Sequence, residues 1–285
     1  MKYTYVLLII GALFTACKEI PPAVNPQGIE LCDLQIDVEN QQRNVLIEEF
    51  TGVRCVNCPP GATQIDNLIE EHGERVVAVA IHAGEFSPPY PESKYDFRNP
   101  DSDALNSFLG VQFNPAAAFN RSVKSGNNIP TGNIDSWPGF VNSELDKPLR
   151  VKISLASSFT PIEGDSANVE ICATIFPIDD FDNENIKLTV VLTENNLIDY
   201  QLTPTQGKVS DYVHKHALRR AITSFDGISI AGNLMTAGNE ISRAFSFDFS
   251  TTEWIPENCE LVAFISKNNA DDKEVVQVVS VHLVE

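Results

Sequence analysis

Residues Val45 to Gly61 read VLIEEFTGVRCVNCPPG, and their reading decides the fold. Val45 to Phe50 is a short apolar run rich in β-branched residues, the pattern of a strand. Thr51-Gly52 breaks it, and Cys55-Val56-Asn57-Cys58 follows at once. From Gly61 onward Ile65, Leu68 and Ile69 recur at helical spacing, with Asp66, Glu70 and Glu71 on the other face. A Cys-x-x-Cys between a strand and a helix start points to a redox dithiol. The positive end of a helix lowers a thiol pKa, so Cys55 is the expected nucleophile. Cys58, three residues on, lies within disulfide reach and is the expected resolving thiol. A second reading keeps the pair as a structural bridge, since tight Cys-x-x-Cys loops in secreted proteins can be inert.

Working outward, Gly73 is a fitting helix stop. Arg75 to His82 is almost unbroken apolar and β-branched, as expected of a strand buried on both faces. Strand, helix, strand makes a right-handed crossover. Gly84 to Pro100 carries Pro88-Pro89 and Pro91 and reads as a surface excursion. Asp101-Ser102-Asp103 opens a helix over 104–109. Asn114-Pro115 leads into a small strand, Ala116 to Asn120. Ile134 to Leu145 is a last helix with Trp137, Phe140, Val141 and Leu145 inward, and Pro138 sits near its start, where proline is tolerated. Glu48 and Glu49 leave two readings open: a buried acid near the dithiol, or an exposed position on an edge strand.

The chain begins MKYTYVLLIIGALFTAC. Lys2 and the run Val6 to Phe14 form a secretory signal over residues 1–16, too short to span a bilayer. Leu13-Phe14-Thr15-Ala16-Cys17 resembles the lipobox of bacterial lipoproteins, which implies acylation of Cys17 and a membrane anchor through that lipid. Residues 17–40, with Pro21, Pro22, Pro26 and Gly28, read as a tether. Residues 41–148 form a first domain and 149–285 a second. In the second, Val151-Ile153-Leu155 and Val169-Ile171-Ala173-Ile175 alternate with polar residues, the mark of an antiparallel sandwich. Asp165-Ser166-Ala167 resembles a bacterial O-glycosylation site.

A formal net charge of −19 is spread along the 285 residues, which makes a solvated acidic surface and excludes nucleic acid as a partner. Removing Cys17 leaves five cysteines. Cys55 and Cys58 can pair. Cys172 and Cys259 either pair or stay buried and free, and Cys32 is left over. His214-Lys215-His216 is the only candidate for a metal. Nothing else supplies further ligands, so neither metal nor cofactor is expected.

The order strand, Cys-x-x-Cys, helix, strand, helix, Gly-x-x-x-x-Pro strand, strand, helix resembles the thioredoxin fold. EEFTGVRCVNCPPG, with a lipobox upstream and a β-rich tail downstream, is similar to the outer-membrane-protein-28-like lipoproteins. That resemblance implies an α/β thioredoxin-like domain followed by an all-β immunoglobulin-like sandwich, in the cell envelope. It implies that Glu49 assists proton transfer at Cys58 and that Pro115 is the cis-proline beside the dithiol, although cis X-Pro bonds are only about 5–6% of such bonds. The chain departs from thioredoxins at Arg54, at Val56-Asn57 and at Pro59-Pro60. The expected function is thiol–disulfide exchange on envelope proteins. The alternative is a surface binding or adhesion lipoprotein without turnover.

Overall fold

The structure, a computed structural model, describes residues 29–32, 38–124, 129–162, 166–181, 184–250 and 252–284. Residues 1–16, Cys17 and Asp165 lie outside them, so the signal, the lipidation site and most of the glycosylation match carry no structural statement. In chain order the elements are α1 (Ile29–Cys32), β1 (Val45–Thr51), α2 (Cys58–His72), β2 (Val76–His82), α3 (Pro100–Phe108), β3 (Ala116–Phe119) and α4 (Trp137–Leu145). There follow β4 (Val151–Ile162), β5 (Ser166–Pro177), β6 (Ile186–Glu194), β7 (Leu197–Thr203), β8 (Gly207–His214), β9 (Ala217–Ala221) and β10 (Ile228–Ile230). The last three strands are β11 (Ile241–Asp248), β12 (Cys259–Lys267) and β13 (Val275–His282).

Local chemistry sets the boundaries. Pro59 and Pro60 sit in the first turn of α2, where a missing N–H breaks no helical bond. Gly73 ends that helix at φ +60°, its N–H donating to the Ile69 carbonyl. The side chain of Asn99 accepts from the Ser102 N–H and starts α3 at Pro100, earlier than the expected 104. The expected helix from Ile134 divides into a 3-10 turn, Ile134–Ser136, and α4.

One eight-stranded mixed sheet crosses residue 148 without a break, in the order β13-β12-β6-β9-β2-β1-β3, with β10 on β6. β1 runs parallel to β2 and antiparallel to β3, so it is an inner strand. That removes the edge-strand reading of Glu48 and Glu49, both of which are buried. The seam between the two halves is narrow: β2 meets β9 at Ala80 and Ala217, with the Ala80 N–H donating to His216. The sheet's two ends return toward each other, and the Val275 N–H reaches the Asn120 carbonyl at 2.8 Å.

Alternation along β1 divides the core. Leu46 and Phe50 face one side with Val79, Ile81, Val262 and Phe264. Val45 and Ile47 face α2 and α4, against Ile65, Leu68, Trp137 and Val141. A second sheet, β11-β5-β4, packs its apolar residues against β6, β12 and β13. Cys172 on β5 is bonded to Cys32, and Cys259 is free and buried. The cysteine left over in the sequence reading is therefore Cys259 rather than Cys32.

β7 and β8 pair with each other in a two-stranded sheet of their own. The segment before α3 packs beneath them: Phe97 is buried with Val53, Leu197 and Ala217. The expected surface excursion is in part a buried layer, because its aromatic residues fill the gap between hairpin and sheet.

Candidate functional site

The dithiol lies where β1 ends and α2 begins. The Cys55 N–H donates to the Gly52 carbonyl at 2.9 Å and the Cys58 N–H to the Cys55 carbonyl at 3.3 Å, a tight turn. Cys55 and Cys58 form a disulfide with Cα atoms 5.4 Å apart. Cys58 opens the helix, and Cys55 stands three residues before it. Both are nearly sealed, at 3% and 2% exposure. A helix start offers four unpaired N–H groups to an anion. Here Pro59 and Pro60 supply none, so a thiolate at this site leans on the dipole more than on direct donors.

Glu49 points from β1 into a cavity of about 50 Å³ that Cys58, Asp66, His82, Tyr212, His214 and His216 also line. Its Oε1 has no hydrogen-bond partner among the described residues. Burial raises its pKa from 4.5 to about 8, and the charge of Asp66 adds to the rise. The carboxyl is therefore neutral at neutral pH. A Cβ at Gly61 would stand 3.2 Å from Glu49 Oε1 and 3.1 Å from the Trp137 ring, so the helix packs closely over the acid.

The hairpin forms the other wall. Gln201 Nε2 donates to the carbonyls of Cys55, Gly52 and Leu202 at 3.1, 3.3 and 3.0 Å. The Leu202 N–H donates to the Val53 carbonyl at 2.8 Å. His82 stacks on Phe97 with ring centroids 4.7 Å apart, and His214 packs against the same ring at 4.6 Å. Burial lowers His214 to about 4 and His82 well below its usual range, so both rings are neutral at pH 7. Burial also pushes Tyr212 up to about 12.

Of the residues singled out in the sequence, Cys55, Cys58 and Glu49 come together. The Asn114–Pro115 bond is cis. The pairing of Phe50 with Ala116 sets Pro115 at the end of the sheet from which the Cys55 loop leaves. Arg54 does not serve the thiol: its guanidinium donates to the Pro88 and Pro89 carbonyls at 2.7 and 2.5 Å and covers the Tyr90 ring. His216 lies past the end of β8 at φ +53°, so the two histidines do not share one strand face, although both line the cavity. Among the described residues no group of His, Cys, Asp or Glu has the arrangement of a metal site. Gln201, His82 and Tyr212 carried no sequence signal.

The features together define a β-dominated mixed α/β protein with a buried Cys-x-x-Cys bridge beside a neutral acid. The family model described as outer membrane protein Omp28 matches residues 102–285, and the chain belongs to that family. Membership places it at the outer membrane of the cell envelope. Cys55 and Cys58 precede the matched region. Among solved structures the chain resembles HBP35 of Porphyromonas gingivalis at TM-score 0.67 and 20% identity, over 85% of this chain and 76% of that one. A protein of Agrobacterium tumefaciens matches at TM-score 0.51 and 16% identity, over 86% and 97%. A domain of the outer membrane lipoprotein Omp28 from Porphyromonas gingivalis matches at TM-score 0.30 and 17% identity, over 48% and 92%. No curated protein matches. No helix among the described residues is long and apolar enough to cross a membrane.

Proposed function

We propose that a lipid on Cys17 anchors this protein and that Cys55 and Cys58 exchange disulfides with envelope proteins. In this reading residues 41–148 act as a thioredoxin-like unit and 149–285 as an immunoglobulin-like sandwich. The observation that carries it is Glu49, a buried unpaired carboxyl with a pKa of about 8 on the same cavity as Cys58. A substrate thiolate attacks Cys55 Sγ, the Cys55–Cys58 bond breaks, and Cys58 leaves as a thiolate. Neutral Glu49 holds the proton that Cys58 takes up, and the cavity has room for a few waters to pass it. A second substrate thiolate then displaces Cys55. The substrate dithiol is oxidised and the protein's disulfide is reduced. Pro115 borders the end of the sheet that a substrate chain would meet.

The test is oxidation of a reduced test protein, with insulin reduction for the reverse direction. Cys55→Ala abolishes both; undiminished activity in that variant sinks the reading. Cys17→Ser lowers the mass by the lipid and releases the protein from membranes.

The burial of both sulfurs favours a second reading, a binding lipoprotein with a structural bridge. A reduction potential below roughly −300 mV assigns the pair to that class.

A further inference from the structure

A substrate sulfur must reach Cys55 Sγ in line with the bond it breaks, yet Cys55 is 3% exposed. The β7–β8 hairpin pairs with no other strand. A lone two-stranded hairpin is marginally stable, so its position depends on what ties it down. Its ties to the dithiol loop are two: the Leu202 N–H to the Val53 carbonyl at 2.8 Å, and Gln201. Gln201 is itself 3% exposed, and its amide reaches Gly52 and Cys55, residues 149 and 146 positions away in the chain. The rim adds two further ties, one through a buried carboxylate (Asp199, 3% exposed) and one in solvent. Asp199 accepts from the Tyr95 N–H at 2.7 Å, and Lys208 pairs with Glu92 at the surface.

The roots of the hairpin have the geometry of a hinge. Asn196, just before β7, sits at φ +59°, and His216, just before β9, at φ +53°. Left-handed backbone at two non-glycine residues costs energy that the surrounding contacts must offset. The His216 N–H donates to Asn195 Oδ1 at 2.7 Å and holds the two roots together. The hinge and the latch lie at opposite ends of the strands.

We infer that the β7–β8 hairpin is a lid over the dithiol and that Gln201 is the positioning residue that keeps it shut, so that Cys55 meets a substrate sulfur only when the amide lets go. The functional meaning of the lid rests on the exchange reading; its existence does not.

The probe is reduced glutathione acting on the full-length oxidised protein. Alkylation and peptide mass spectrometry follow the Cys55–Cys58 and Cys32–Cys172 bonds separately. Gln201→Ala opens Cys55–Cys58 about tenfold faster, the change expected when a net 1.4 kcal/mol of hydrogen bonding is lost. The Cys32–Cys172 rate stays unchanged. Gln201→Glu keeps the length but sets a carboxylate against three carbonyls, and is accelerated at least as much. An unchanged Cys55–Cys58 rate in both variants overturns the latch. Equal acceleration of both disulfides overturns it too, because that is general loosening. Hydrogen exchange at Leu202 rises in Gln201→Ala while the β1 amides stay protected; protection unchanged at Leu202 counts against the lid. A wild type that oxidises no protein, with a Gln201→Ala that still opens faster to glutathione, removes the exchange reading and leaves the latch standing.

Discussion

Glu48 and Glu49 are neighbours on β1, equally buried, and opposite in fate. Glu48 faces the side of the sheet where Leu46 and Phe50 pack, and Arg121 grips it with two hydrogen bonds of 2.8 and 2.7 Å. The guanidinium also covers the rings of Phe264 and Phe108. Glu49 faces α2 and meets no cation among the described residues; burial holds it protonated up to a pKa of about 8. One residue of register separates an ion-paired carboxylate from an unpaired, neutral carboxyl. Where the strand has a partner for its carboxylate, the group is architectural. Where it has none, the strand keeps a proton next to a disulfide.

The widest gap between the two faces is reached by taking Arg121 away. Arg121→Met leaves Glu48 buried without its partner. The expected loss is about 3–5 kcal/mol of unfolding free energy, read by urea denaturation. Pairing it with Glu48→Leu restores most of the loss, since an apolar pair of similar volume is often neutral. If the single variant loses less than about 1 kcal/mol, the contrast between the faces is wrong.

A smaller effect belongs to Glu49 and has a pH signature. In the unfolded chain this carboxyl loses its proton near 4.5; in the folded protein it keeps it to about 8. Between those values the unfolded state binds fewer protons, so stability is full below about 4.5 and falls as pH rises through the window. From pH 5 to pH 7 the expected decline from this group is about 2–3 kcal/mol, at 1.36 kcal/mol per unit. Glu49→Gln removes that slope and is the more stable protein at pH 7. The same substitution slows exchange at Cys58 while leaving the Cys32–Cys172 bond untouched. A slope that survives in Glu49→Gln assigns the titration elsewhere.

The contrast also explains what the sequence could express. β1, α2 and β2 were legible because hydrophobic periodicity and the Thr51-Gly52 break are local signals. Cys55 and Cys58 were legible because both sit on that local frame, whereas Glu49 stood out only through the family resemblance. The two faces of Glu48 and Glu49 were not, because inner-strand status depends on β3 pairing from residue 116 onward. Gln201 was invisible for the same reason: a lone Gln in a polar hairpin has no periodicity, and its role arises from contacts across 146 residues. The Cys32–Cys172 bond closes 140 residues, beyond any spacing rule. His214 drew notice as a metal ligand, but a His-x-His pattern cannot say that the chain turns left-handed at His216.

The smallest expected effect is at Asp66, and it tests why Glu49 is raised at all. Burial is the main cause and the Asp66 charge the second. Asp66 is 42% exposed and paired with Lys215 at 2.8 Å, so solvent and the ammonium both screen it. Asp66→Asn removes the negative charge and frees the cation, and both changes favour ionised Glu49. The Glu49 pKa therefore falls, by less than about one unit, in a carboxyl carbon NMR titration. A fall that returns Glu49 to the ordinary carboxylate range would make the repelling charge, rather than the closed cavity, the cause of the neutral acid. A hairpin opened by Gln201→Ala would then leave Glu49 where it was, whereas a burial-held proton is lost when the lid lifts. The two variants together decide whether the acid beside Cys58 is set by a neighbour or by the lid.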